Sequence, residues 1–348
     1  MWLMLLYKSY EYNRLQVILG LERVKKIEEK NSDLVAIDEA VYTWVDDCTP
    51  GYADNLRQFA NNDHDLDPNR TRDNLDLLRF SFRSLEAYAP WVKKITLVTA
   101  RPQVPEWLDT SHPHITLVHH DEFIPGERLP TFNSFAILSH LHLLPNAPEQ
   151  FLYFEDDIVL TAPTSPRHFV DAGGKIRIYP RGSRTPNAKY PRRPEDSPWN
   201  RALSFTNEVL DQTYDRQERP YVGHVPMVLR PRKFAEIWDR FNSYLVDTGN
   251  SKFRSGNNIV MEHFYPYVLL ADGEGVKETV QSAKRACKYL GLENYPLWND
   301  VHLWYLARNP GQILTLNDNF GAAPRANIVK SVKSWLLKRY PQRSRFES

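Results

Sequence analysis

The sequence predicts an α/β fold built on a doubly wound, mostly parallel sheet, with a Pro/Arg-rich insertion and an amphipathic C-terminal helix. Three observations predict it. Short apolar runs alternate with helical patterns from residue 37 to residue 157, the rhythm of βαβ units. Some of those runs are continuously apolar, as strands buried on both faces require. Acids gather at the carboxyl ends of two runs, where open α/β sheets bind ligands.

The elements follow in order. Within residues 1–36, LQVILGLERVKKIEEK reads as a helix followed by a linker. AVYTWV (40–45) reads as a strand ending near Asp46 and Asp47. Residues 73–88 read as a helix with Leu77, Leu78, Phe82 and Leu85 on one face. ITLVTA (95–100) and HITLVHH (114–120) are strands. SFAILSHLHLL (134–144) is a helix capped by Asn133 or Ser134. FLYFEDD (151–157) is a strand whose apolar part, Phe151 to Phe154, stops at Glu155, Asp156 and Asp157.

Residues 161–220 break the rhythm and read as an insertion or lid. Seven basic residues lie between Lys175 and Arg193 with no acid among them, charge that meets phosphates or simply faces water. Helices are expected at 232–246 and 258–270, and QILTLND (312–318) is a final short strand. The expected organisation is therefore an N-terminal helix and linker (1–36), an α/β domain (37–320, insertion about 161–220) and a basic tail (321–348).

Composition bounds the function. At 348 residues the chain is one large domain or a domain with an insertion. The net charge of +1 says little about partners, and no nucleic acid is expected. Two cysteines, Cys48 and Cys287, suit a reducing compartment rather than a disulfide framework. The N-terminal apolar run is six residues long, too short to span a bilayer, and no clear cleavage site follows it. A cytoplasmic location is expected, soluble or peripheral on the inner face of the membrane. Residues 325–345 carry seven basic residues and no acid, with Ile328, Val332, Trp335 and Leu336 on one helical face. Such a helix either docks on the core or lies on an anionic membrane, giving the tail a candidate membrane contact.

The acidic run at 155–157 asks for chemistry. Three adjacent carboxylates repel, and Mg²⁺ (or Mn²⁺) is the simplest positive charge to place among them. The bland alternative is a strand running into an acidic surface turn.

Four segments then carry a resemblance: YTWVDD; RFSFRSLEAYAPWVKKITLVT with PEWL, VHHDEF, LPTFNS and FLYFEDD; His224-Val225-Pro226 with the stretch around Arg254; and Leu316-Asn317-Asp318. In this order they resemble the Stealth proteins, which transfer sugar 1-phosphates and include bacterial capsule polymerases and the lysosomal-enzyme GlcNAc-1-phosphotransferase. The match covers most of residues 37–320. Four positions depart from the family pattern: Glu155 replaces its Asn, Asp47 its Gly, and Asn257 and Asn258 its acids.

The resemblance implies a Rossmann-like, GT-A-like fold and a displacement at phosphorus. A nucleotide diphospho-sugar donates its sugar 1-phosphate to a glycan hydroxyl, and the nucleoside monophosphate leaves, in capsule or surface polysaccharide synthesis. Such transfer needs charge neutralisation, positioning and removal of a proton. The implied metal site is Asp156, Asp157 and Asp318, with Asn317 as an oxygen donor. His224 is the candidate general base, since an imidazole near its ordinary pKa of ~6.5 suits the task; alternatively an aspartate takes the proton and His224 binds phosphate. Arg254 is assigned to phosphate charge. Arg79 and Arg83 either face phosphates or pair with Asp76 or Glu86. Trp44 and Asp46 are assigned to the nucleoside, and Asn133 and Ser134 to the sugar or to the helix cap. Two rival readings stand beside this one: a metal-dependent glycosyltransferase that releases the nucleoside diphosphate, and a non-catalytic binding subunit.

Overall fold

A computed structural model describes residues 36–61, 66, 71–186 and 196–348. The expected N-terminal helix and the stretch 187–195 of the basic insertion lie outside the described residues. The described strands are β1 (Glu39–Thr43), β2 (Lys94–Thr99), β3 (Ile115–His119), β4 (Phe151–Glu155), β5 (Ile158–Leu160), β6 (Ile176–Ile178), β7 (Pro180–Arg184), β8 (Pro220–Val222), β9 (Met227–Leu229), β10 (Gly275–Lys277), β11 (Cys287–Glu293) and β12 (Ile313–Asn319).

The main sheet has the order β3-β2-β1-β4-β9, with the first four strands parallel and β9 antiparallel at the edge. The chain winds outward from β1 to β3 and then returns to lay β4 on the other side of β1. The order reverses between β1 and β4, the place where open α/β sheets form a ligand crevice. The strands are continuously apolar because both faces are covered. Tyr42 of β1 and Phe154 of β4 stack at 4.8 Å, and Phe82 of the helix Leu77–Tyr88 meets Tyr42 at 4.9 Å. Each such ring contributes about 1.5–3 kcal/mol through burial.

A second sheet, β11-β12-β5, abuts the first; β11 and β12 are parallel and β5 is antiparallel. The expected final strand is thus the middle of a separate sheet. The chain crosses between the sheets at Asp156 and Asp157, the whole of the β4–β5 turn. The region 161–220 contributes β6 and β7 to two smaller ribbons, β10-β6 and β7-β8, whose other strands lie at or beyond its end, and it contains the helix Pro198–Thr213.

Several boundaries differ from expectation for local reasons. The helix expected from residue 73 starts at Leu77, whose N–H donates to the Asp73 carboxylate, after Asp76 in the left-handed region. The helix expected over 134–144 ends at Ser139 and continues as a 3₁₀ turn, Leu141–Leu143. The one expected over 232–246 breaks at Phe241 into Pro231–Arg240 and Asn242–Asn250. The C-terminal helix Ala326–Arg339 buries Ile328, Val332 and Leu336 against Leu75, Leu77, Phe80, Leu314 and Leu316. The apolar stripe that suggested a membrane contact for the tail is therefore covered by protein. Among the described residues no helix is long and apolar enough to cross a membrane.

Candidate functional site

The β4–β5 turn holds Asp156 and Asp157 at the seam of the two sheets. Backbone bonds draw the other segments to it. The Leu316 N–H donates to the Asp157 carbonyl at 3.0 Å, which brings Asn317 and Asp318 alongside. The Thr315 hydroxyl donates to the His224 carbonyl at 2.6 Å, which fixes the loop between β8 and β9. Gly223 lets that loop approach: its N–H donates to the Tyr179 carbonyl at 2.7 Å, and a Cβ there would stand 3.1 Å from the same oxygen.

The result is a cleft of about 870 Å³. Glu155, Asp156, Asp157, His224, Glu262, Asn317 and Asp318 line it, and Arg72, Arg181, Arg184 and Arg254 bring positive charge. Arg181 and Arg184 come from the Pro/Arg-rich insertion, so part of that basic run reaches the cleft.

His224 Nε2 stands 3.2 Å from both Glu155 Oε2 and Asp157 Oδ1. Burial disfavours its charge, but Asp157 and Glu155 outweigh burial and hold its pKa well above the usual imidazole value. Burial likewise opposes ionisation of Glu155, yet the His224 charge keeps that carboxyl below its ordinary value. Among the described residues Asp156 has no such imidazole partner. Burial, then Asp157, Asp73 and Glu155, push its pKa well up. Glu262, at the start of the helix Met261–Ala271, is raised to about 8 by burial and by Glu155, and its Oε2 is buried without a hydrogen-bond partner among the described residues. Asp73 is raised to about 6, chiefly by burial.

The sites predicted from sequence divide into four groups. Asp156, Asp157, His224, Arg254, Asn317 and Asp318 share the cleft. Within it, the Asp318 carboxylate is already engaged: Arg72 donates to it from Nε and Nη2 at 2.8–3.1 Å. Ser134 and Asn133 stand behind the cleft. The Ser134 hydroxyl accepts from Arg254 Nη2 at 2.6 Å and so positions that guanidinium. Asn133 is fully buried, accepts from the Phe135 N–H as a helix cap and donates to Asn258 Oδ1, which gives it a structural role. Trp44 donates its indole N–H to Asp73 at 2.8 Å, and Asp46 caps its own turn by accepting from the Cys48 N–H.

Arg79 and Arg83 are elsewhere. Both donate to Glu347, at 2.7 and 2.6 Å, and Arg83 also donates to the Tyr340 carbonyl. Their partner is neither phosphate, nor Asp76, nor Glu86, because the C-terminal segment folds back over their helix. Sequence reasoning missed Glu262 and Arg72. Glu262 follows an apolar stretch, Ile259 to Met261, and reads there as one polar position of a buried helix.

The donor set suits a hard divalent cation. Ligand atoms of Glu155, Asp157 and His224 lie within 4.8 Å of one another, and Glu262 adds an unpartnered buried oxygen in the same cleft. The Asp46, Asp47 and Cys48 atoms form a second such group on a more exposed turn.

Residues 70–178 match the family profile described as Stealth protein CR2, conserved region 2. The exopolysaccharide phosphotransferase SCO6023 of Streptomyces coelicolor is 31% identical over 89% of this chain and 52% of its own length. A second, SCO2594, is 36% identical over 66% of this chain and 39% of its own. The chain thus spans about half or less of the length of these relatives. The capsular polysaccharide phosphotransferase cps1A of Actinobacillus pleuropneumoniae is 28% identical over 76% of this chain and 74% of its own. Among solved structures, the apo WbbM bifunctional glycosyltransferase is a distant likeness, with a TM-score of 0.44 at 11% identity over 89% of this chain and 52% of that one.

Proposed function

From the premise that this chain carries Stealth conserved region 2 and is related to bacterial polysaccharide phosphotransferases, we propose that it transfers a sugar 1-phosphate from a nucleotide diphospho-sugar to a glycan hydroxyl in surface-polysaccharide synthesis. The observation that carries this reading is the pairing, in one cleft, of a carboxylate–imidazole group with Arg72, Arg181 and Arg254. A diphosphate needs the arginines, and the displacement needs a proton acceptor beside them.

The acceptor oxygen attacks the phosphorus that bears the sugar. The bond from that phosphorus to the nucleoside monophosphate breaks, and a phosphodiester forms. Arg254, steadied by Ser134, and Arg181 bind phosphate oxygens. His224 is charged between its two carboxylates, so it serves phosphate binding better than proton removal, and a carboxylate of the Asp156–Asp157 turn takes the hydroxyl proton. The carboxylates of Glu155 and Asp157, with Glu262 and Asp156 nearby, would hold Mg²⁺ or Mn²⁺; when bound, the ion neutralises diphosphate charge and fixes its orientation. Asp318 joins that set only by giving up Arg72.

The test is a donor screen with purified protein, Mg²⁺, oligosaccharide acceptors and UDP-, GDP- and CDP-sugars. Release of a nucleoside monophosphate with equimolar phosphodiester product, abolished by EDTA and by Asp157→Ala, is the expected result. Release of a nucleoside diphosphate would instead mean that the sugar C1–O bond breaks, and would overturn the reading.

A further inference from the structure

The helix Pro296–Arg308 is apolar on both sides. Its inner side packs Leu303 and Leu306 against the second sheet. At 100° per residue, Leu297, Trp298, Val301, Trp304, Tyr305 and Arg308 fall in one arc of about 120° on the other side. That outer arc is exposed: Leu297 keeps 76% of its surface, Trp304 57% and Val301 53%. A helix apolar all round is normally buried on all sides, and an exposed patch of this kind marks an interaction surface.

Its surroundings select the occupant. Residues 280–340 carry nine basic and three acidic residues, a local excess of six positive charges on a chain whose net charge is +1. The C-terminal helix Ala326–Arg339 lies alongside, tied by Ser331 to Asp300 at 3.4 Å, and exposes Lys330, Lys338 and the half-exposed Leu337. Arg308 stacks over the Trp304 ring at 4.0 Å. A second copy would bring the same positive surface against this one, and like charges oppose that contact. Two tryptophans and a tyrosine on an exposed basic surface match the headgroup level of a bilayer, where amphipathic rings and lysines partition together.

We propose that the outer face of Pro296–Arg308, flanked by the basic C-terminal helix, docks the protein on an anionic lipid bilayer. The surface differs from the tail stripe, which the core covers. Trp298 donates its indole N–H to the Gly291 carbonyl on β11, the strand that carries Tyr289 to the cleft. The docking face and the cleft therefore share one rigid strand.

The test is co-sedimentation of the full chain with phosphatidylcholine vesicles, with and without about 30% phosphatidylglycerol. Binding to the anionic vesicles that weakens with salt is expected, and Leu297→Ser with Trp304→Ser should weaken it more than about tenfold. Because both side chains face solvent, circular dichroism and sedimentation velocity should show the variant folded. Lys330→Glu with Lys338→Glu should weaken binding to anionic vesicles alone. No binding by the parent chain, or undiminished binding by the serine variant, would overturn the proposal. So would a concentration-dependent dimer, formed without lipid and abolished by the serine variant, because the face would then belong to a second copy.

Discussion

Two clusters of charge in this molecule obey opposite rules. Around Glu347, one carboxylate with no exposed side-chain surface meets Arg79, Arg83 and the Ser344 N–H. Burial pushes its pKa up, but Arg83, that N–H and Arg79 outweigh burial and hold it at about 2. In the cleft, Glu155 and Asp157 pair with the His224 imidazole, while Asp156 and Glu262 are raised by burial and by neighbouring carboxylates. Both clusters are built from arginines or histidine and carboxylates. The first is satisfied within the protein and holds the C-terminal segment on the helix Leu77–Tyr88. The second has spare negative charge, which is stable only when a ligand supplies the missing cation or protons. Satisfaction within the fold, more than residue type, separates the stabilising cluster from the candidate active site.

The sharpest way to break this comparison is to remove one member from each cluster. Asp157→Ala should lower transfer by about 10³-fold, since metal-type charge stabilisation is worth several kcal/mol at 1.4 kcal/mol per tenfold. The same change should leave the chelated protein at least as resistant to urea as the parent, because it relieves the repulsion on Asp156. A large loss of stability with little loss of activity would reverse the roles of the two clusters. Glu347→Gln should do the opposite. It leaves Arg83 buried without its charge partner and should cost about 3 kcal/mol, read as a lower urea midpoint, with the activity of the folded enzyme unchanged.

The sequence shows the second cluster better than the first. Asp156, Asp157, His224 and Asp318 stand in short motifs at or beside strand ends, where position alone points to a crevice, and Arg254 stands in a motif between two helices. The strands β1 to β4 are equally legible, since each is an apolar run between breaks. What stays hidden is long-range. Glu347 lies 268 residues from Arg79, so a helix-face argument pairs that arginine with near neighbours such as Asp76. Asp318 offers a carboxylate to a metal in sequence, yet its first partner in space is Arg72, 246 residues away. The second sheet is hidden for the same reason: β5 is three residues long and takes its meaning from β12, far along the chain. The outer face of Pro296–Arg308 resists periodicity altogether, because apolar residues on both sides erase the amphipathic signal.

The smallest effect sharpens the comparison through pH. Glu262 has a folded pKa of about 8 against an ordinary 4.5, so the folded protein keeps a proton that the unfolded chain releases. Stability from this group is full below pH 4.5 and falls as pH rises toward 8. Glu347 has the reverse sign: its folded value of about 2 gives stability that is full above 4.5 and lost as pH falls through 2. In EDTA, Glu262→Gln should therefore match the parent near pH 5 and exceed it near pH 8, because the amide replaces the protonated acid without its cost of ionisation. Glu347→Gln should instead differ most from the parent near neutral pH and converge with it in acid. Urea midpoints at pH 3, 5 and 8 for the three proteins read both trends. Parallel pH profiles for all three would mean that neither carboxyl titrates as its surroundings dictate. A gain at pH 8 confined to the cleft variant would locate the spare negative charge in the cleft.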